Sequence, residues 1–278
     1  MPFYLQPVLL TVWTVFFFFF AAPARRAILS NLAVVLPGSS AVANYFRAFR
    51  TLLNFAWTIT DGANYKLTKA EFTYDIEGAE FLDQLGAAKG AIVLTAHMGN
   101  YDLGAALFAQ KFQRQIRMVR APEPDAESAS HLSHSVEQTG EGAVKIAYNS
   151  EGALLSFDLL NALREGEIVS IQGDRVIEGV ASADGRLFDV PVRIPSGPFS
   201  LAQVAQVPIF PLFIVRRGHH RYGILAHAPI MVARSARSRE EDIGVAVARW
   251  CDVLQETIGA HWDQWFSLVP IFAAHEQR

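Results

Sequence analysis

The chain has 278 residues, of which 51% are hydrophobic and 18% charged, enough apolar sequence to bury one sizeable core and leave some over. Its formal net charge of -3 lacks the basic excess of a nucleic-acid binder, and it carries no zinc-finger, P-loop or dinucleotide-binding pattern. A single cysteine, Cys251, excludes an intramolecular disulfide and suits a reducing compartment; its place on the apolar pattern Val247, Trp250, Leu254 reads as a packed thiol rather than a nucleophile.

At the N-terminus, Phe3 to Ala24 has no charged side chain, and its centre, Val12 to Phe20, holds Trp13 and five consecutive phenylalanines. With Pro7 at a helix start, this approaches the roughly 20 residues that cross a bilayer core. Ala21-Ala22-Pro23-Ala24 also suggests a signal-peptide cleavage region, but no Lys or Arg precedes the apolar run, whereas Arg25 and Arg26 follow it. The segment therefore reads as a transmembrane helix, with residues 1–24 an anchor and 25–278 the folded domain. A buried core helix and an in-plane amphipathic segment are the alternatives. The positive-inside tendency puts the domain on the cytoplasmic face.

Arg25, Arg26, Arg47, Arg50, Lys66 and Lys69 stand against the single acid Asp61 in the next stretch. They form either a basic collar for an anionic bilayer surface, each contributing about 1 kcal/mol near it, or a solvated basic helix face. Val42, Tyr45, Phe46, Phe49, Leu53 and Ala56 recur at helical spacing, for a helix that lies on a membrane or packs on a core.

Ile92 to Thr95 follows as a short buried strand, Gly99-Asn100 as a turn and helix cap, and Leu103, Leu107 and Phe108 as the stripe of a helix. His97 then sits in the loop at the strand's carboxyl end, and Asp102 in the first helical turn, where the macrodipole favours a carboxylate. That edge is where α/β sheets carry their ligands. An imidazole that takes a proton from a hydroxyl becomes cationic, and an anion on its other nitrogen selects the tautomer and stabilises the charge. The plain alternative is a loop histidine and an ordinary N-terminal helix acid.

Strand-like and helix-like segments alternate from there: Gln115 to Arg120, Ala126 to Thr139, Val144 to Ala147, Ser150 to Arg164 and Ile168 to Gln172. A helix over Ser196 to Gln206, strands at Ile209 to Val215 and Tyr222 to Ala226, and a last helix opened by the capping box Ser238 to Glu241 complete an α/β layered domain. His131 and His134 share a helix face but have no third metal ligand at motif spacing, and His219-His220 falls in a turn. There is no Gly-x-Ser-x-Gly elbow of a serine hydrolase.

The stretch His97-Met98-Gly99-Asn100-Tyr101-Asp102 after an apolar strand resembles the bacterial lipid A biosynthesis acyltransferases, the lauroyl and myristoyl transferases of the lysophospholipid acyltransferase superfamily. Arg25-Arg26, Asn31-Leu32 and Leu36-Pro37 resemble that family's opening segment, Met118-Val119-Arg120 its second block and Gln172-Gly173-Asp174-Arg175 its third. Phe188 to Pro211, through Pro195-Ser196-Gly197-Pro198, resembles its last block. The blocks keep their order over residues 3 to 215. Three departures accompany them. Arg175 stands where the third block often has a second acid, Phe188-Asp189-Val190 replaces Phe-x-Gly, and Trp262, Trp265 and Phe266 replace a basic ending. A branch acting on another lipid or glycolipid acceptor fits these departures equally well.

The resemblance implies a glycerolipid acyltransferase-like fold, a layered mixed sheet flanked by helices with an N-terminal membrane helix, and a catalytic domain over 25–278. It implies an O-acyltransferase at a bacterial inner membrane, moving a fatty acyl group from an acyl carrier protein or coenzyme A thioester to a hydroxyl of a lipid or glycolipid such as a lipid A precursor. His97 would be the general base and Asp102 its orienting acid. Arg120 would hold a phosphate or sugar, Asp174 and Arg175 would position the acceptor or support the site, with a structural salt bridge the plain alternative, and Gly99 and Asn100 would offer backbone N–H groups to the thioester oxyanion. No metal or redox cofactor is implied, the thioester being a co-substrate. A lipid or thioester hydrolase using the same pair, and a non-catalytic membrane lipid-binding protein, are the other classes compatible with these residues.

Overall fold

The structure, a computed structural model, describes residues 5–68, 70–121, 143–149, 153–177, 179–236 and 238–272. The expected helix from Ala126 to Thr139, with His131 and His134, and the start of the expected segment from Ser150 to Arg164 lie outside these residues.

The apolar N-terminal run is not one helix. α1 (Gln6–Phe20) stops at Ala21, whose φ of -86° and ψ of 57° are not helical, and α2 (Ala22–Val35) leaves at 91°. Pro23 lies in the first turn of α2, where its missing N–H costs nothing, whereas inside a continuous helix its ring would clash with a carbonyl one turn back. Among the described residues no single helix is long and apolar enough to cross a membrane, though the bent pair has the length and composition together. The helix expected as one piece over this run is therefore two helices, broken at Ala21.

Ile28 and Leu32 of α2 pack on Ala48 and Leu52 of α3 (Ala41–Thr68). The apolar stripe expected along α3 divides: Ala56 is buried, Phe49 and Leu53 are half-buried, and Val42, Tyr45 and Phe46 face outward. Phe16, Phe19 and Phe20 of α1 are exposed as well.

The remainder is the layered α/β domain. Its strands are β1 (Thr73–Glu77), β2 (Ala91–Thr95), β3 (Ile116–Arg120), β4 (Val144–Tyr148), β5 (Ile168–Gln172), β6 (Ser182–Leu187), β7 (Val190–Pro195), β8 (Ile209–Gly218) and β9 (Arg221–Ala226). Between and after them come α4 (Ala79–Ala87), α5 (Tyr101–Phe112), α6 (Ala153–Arg164), α7 (Gly197–Ala205) and α8 (Arg239–Ala260). Among the described residues the strands make a seven-stranded sheet in the order β1-β9-β8-β2-β5-β3-β4 and a separate β6-β7 hairpin. Within the sheet only β8 and β9 pair antiparallel, so the sheet is mixed.

Both faces of the sheet are covered, which is why β2 and β5 read as nearly continuous apolar runs. Ile92, Leu94 and Val169 point into one core with Trp250 and Leu254 of α8; Ala91 and Ile168 point into the other with Leu103 of α5. The capping box of α8 is formed, Ser238 accepting from the Glu241 N–H and Glu241 from the Ser238 N–H. The β6-β7 turn places Phe188 and Asp189 at φ of 50° and 62°. Positive φ at both turn positions is the signature of a tight hairpin that usually selects Gly or Asn, and here it is met without either.

Candidate active site

The sheet register assembles the site. β2 and β5 are paired with Thr95 opposite Gln172, so two residues farther on His97 and Asp174 leave the carboxyl edge side by side. Asp174 Oδ1 lies 2.7 Å from His97 Nδ1, and Trp265 Nε1 donates to the other oxygen at 2.9 Å. Asp174 is 0% exposed. Burial alone would raise its carboxyl, but the charge and hydrogen bond of His97, the Trp265 donor and the nearby Arg175 outweigh it and hold it at about 2. An ionised carboxylate only accepts, so Nδ1 carries the imidazole proton and Nε2 is left as the basic nitrogen.

The loop that carries His97 is fastened on both sides. The Phe266 N–H donates to the His97 carbonyl at 2.7 Å, Gly99 N–H to Gln264 O at 3.0 Å, and Asn100 N–H to Ile214 O at 3.0 Å. Gly99 has φ of +54°, and a Cβ there would overlap the Ile214 carbonyl oxygen, so the close passage over β8 requires glycine. Asn100 caps α5, its side chain accepting from the Leu103 N–H.

Two sequence expectations change here. Asp102, expected to orient His97, instead pairs with Arg120, whose guanidinium also lies 5.4 Å from the Tyr101 ring centroid. The reason is topological: Arg120 ends β3, a neighbour of β5, and meets the first turn of α5, while the position beside His97 belongs to the strand directly paired with β2. The backbone N–H groups of Gly99 and Asn100, expected to face an oxyanion, already donate to Gln264 and Ile214, although both residues line a cavity next to His97. Arg120, Asp174 and Arg175, expected to hold or position substrate, are gathered at the same sheet edge as His97. Sequence reasoning missed Trp265 and Gln264. The aromatic ending Trp262, Trp265, Phe266 was the available signal, but nothing local says that it returns to the His97 loop.

Two cavities meet at His97. One, of about 620 Å³, lies against α3 and is lined by Thr58, Ile59, Lys66, Asp102 and Phe266. The other, of about 550 Å³, runs between α6 and α7 and is lined by Arg120, Leu155, Leu159, Leu201 and Val204. His97 and Arg175 line both. In the first, Lys66 is lowered by burial, against the pull of Asp102, and Tyr101 is pushed up to about 12 by burial and by Asp102, so its phenol stays protonated. Cys251 is buried away from the site with its thiol pushed up to about 11 by burial. Among the described residues no group of three His, Cys, Asp or Glu side chains is placed to hold a metal ion.

A histidine–carboxylate pair at the carboxyl edge of an α/β sheet, where two largely apolar cavities meet, is suited to activating a hydroxyl or water for attack on an acyl carbon. The chain is a member of the bacterial lipid A biosynthesis acyltransferase family, whose sequence profile matches residues 1–273. No curated protein matches it. Membership makes this an acyltransferase with an acyl donor and a lipid acceptor, from a family that is typically membrane-associated.

Proposed function

We propose that the protein transfers a fatty acyl group from an acyl carrier protein or coenzyme A thioester to a hydroxyl of a lipid A precursor or related glycolipid, at the cytoplasmic face of a bacterial inner membrane. The observation that carries this reading is the buried, ionised Asp174 on His97 Nδ1, which leaves Nε2 as a base at the junction of two cavities. His97 Nε2 takes the acceptor hydroxyl proton as the oxygen bonds to the thioester carbonyl carbon. The tetrahedral oxyanion collapses, the C–S bond breaks, and the thiolate leaves and takes up the proton from His97. Arg175, which lines both cavities, is the cation best placed for the developing oxyanion, in the role that the occupied Gly99 and Asn100 N–H groups cannot fill. Arg120, held by Asp102, supports a phosphate or sugar of the substrate.

The exposed aromatic residues of α1 and of the start of α3 support seating in the bilayer, with residues 1–24 part of the attachment and the domain beyond them carrying the chemistry. The test is transfer of a labelled acyl group from either thioester into a bacterial lipid extract by membranes bearing wild type or His97→Ala. Acylated lipid that falls by about a hundredfold or more in the variant is expected. Labelled free fatty acid in its place, insensitive to added acceptor, would make the protein a hydrolase.

A further inference from the structure

A closed ring of polar contacts surrounds the His97 loop and passes through residues that the chemistry above does not use. Asp61 of α3 is 0% exposed, and its Oδ2 accepts from the Tyr222 hydroxyl at 2.7 Å and from Arg216 Nε at 3.0 Å. The Tyr222 oxygen accepts from Asn100 Nδ2 at 3.4 Å, and the same Nδ2 donates to the Thr58 carbonyl at 3.3 Å. On the other side, the Arg216 backbone N–H donates to Gln264 Oε1 at 2.6 Å and its carbonyl accepts from Gln264 Nε2 at 2.8 Å, while the Gln264 carbonyl takes the Gly99 N–H. Arg216 also stacks 4.5 Å over Trp57.

This ring joins two things. Thr58, Ile59 and Gly62 of α3 form a wall of the larger cavity, and Gly99-Asn100 is the turn that aims His97 and starts α5. Asn100 has to present Nδ2 to Tyr222 and Thr58 if its Oδ1 is to cap α5, so the Tyr222 hydroxyl fixes the amide's orientation and, through it, the turn. The arrangement is not economical for stability alone. Among the described residues Asp61 Oδ1 is buried with no hydrogen-bond partner, and buried ion pairs are commonly no more stabilising than apolar residues of the same volume.

We infer that Asp61 and Tyr222 are positioning residues that lock the His97 turn to the α3 wall of the larger cavity, so that an acceptor hydroxyl bound against α3 is presented to His97. This rests on the acyl-transfer reading. The inference seats the acyl donor in the smaller cavity, between α6 and α7, whose lining includes none of Asp61, Tyr222, Arg216, Gln264 and Asn100.

The experiment uses the full chain in its membrane, with labelled acyl-coenzyme A and acyl carrier protein thioesters, for wild type, His97→Ala, Tyr222→Phe, Asp61→Asn and Val192→Ala. Tyr222→Phe removes one oxygen and no volume; Asp61→Asn is isosteric and gives an independent second reading. Both are expected to lose about tenfold or more in kcat, with the donor KM within about twofold of wild type. Val192→Ala opens a small void under the β6-β7 hairpin, outside the ring and lining neither cavity, and is expected to lower the melting temperature while leaving kcat within about twofold. The inference is overturned if folded Tyr222→Phe and Asp61→Asn proteins keep the wild-type kcat, or if all three variants lose activity only in proportion to lost thermal stability. Wild-type membranes without any His97-dependent product would overturn the acyl-transfer reading itself, a different result from His97-dependent transfer that ignores Asp61 and Tyr222.

Discussion

At the scale of single residues, the site turns on which carboxylate touches His97. Asp174 does so with both oxygens engaged and no solvent, while Asp102 neutralises Arg120 at the cavity mouth. The sequence already placed Asp174 and Arg175 at the edge that carries His97, because Ile168 to Gln172 is an unmistakable buried strand. What it could not supply was that β5 pairs directly with β2 in a register that sets Asp174 beside the imidazole, since strand order is a long-range property. The depressed Asp174 carboxyl has a consequence for stability. A group whose folded pKa lies at about 2, below its ordinary 3.8, contributes stability that is complete above pH 3.8 and is lost as pH falls towards 2. Acid unfolding followed by near-ultraviolet circular dichroism is therefore expected to steepen between those values in wild type and to flatten in Asp174→Asn; equal acid limbs would mean that the carboxylate is not held ionised.

At the scale of elements, local chemistry decided how much could be read in advance. Strands β2, β3, β5 and β8 were legible because they are β-branched runs bounded by turns, and α8 because its capping box is written in four adjacent residues. The β6-β7 hairpin was not, since Gly185, Pro191 and Pro195 interrupt any alternation, and β1 was not, since Thr73–Glu77 is an edge strand with little apolar content. The N-terminal run shows the opposite error. Composition suggested one span, and Pro23 after Ala21 divides it. The resulting α1 exposes Phe16, Phe19 and Phe20, and α3, which meets α1 through the Phe18–Tyr45 and Phe18–Phe49 ring contacts, exposes Val42 and Phe46, apolar surface that water would penalise. Replacing Phe16, Phe19 and Phe20 together by Ser should release the protein from anionic lipid vesicles in a flotation assay while the domain's melting temperature stays the same; retention on vesicles would move the attachment to another surface.

At the scale of the whole molecule, the fold brings two largely apolar cavities to one imidazole and lets α3, which exposes Val42, Tyr45 and Phe46, form a wall of one of them. Three of the blocks that carry the family resemblance, at His97 to Asp102, Met118 to Arg120 and Gln172 to Arg175, fall at the carboxyl ends of β2, β3 and β5. The cavities were not, because each is lined from several elements far apart in the chain. If His97 is the base and Asp174 the group that orients it, the two carboxylates part company in kcat for acyl transfer, measured in Asp174→Asn beside Asp102→Asn. An amide on Nδ1 permits the wrong tautomer, so Asp174→Asn is expected to fall by about a hundred- to ten-thousandfold, and Asp102→Asn, which only frees Arg120, by about tenfold. Full activity in Asp174→Asn with loss confined to Asp102→Asn would contradict the account.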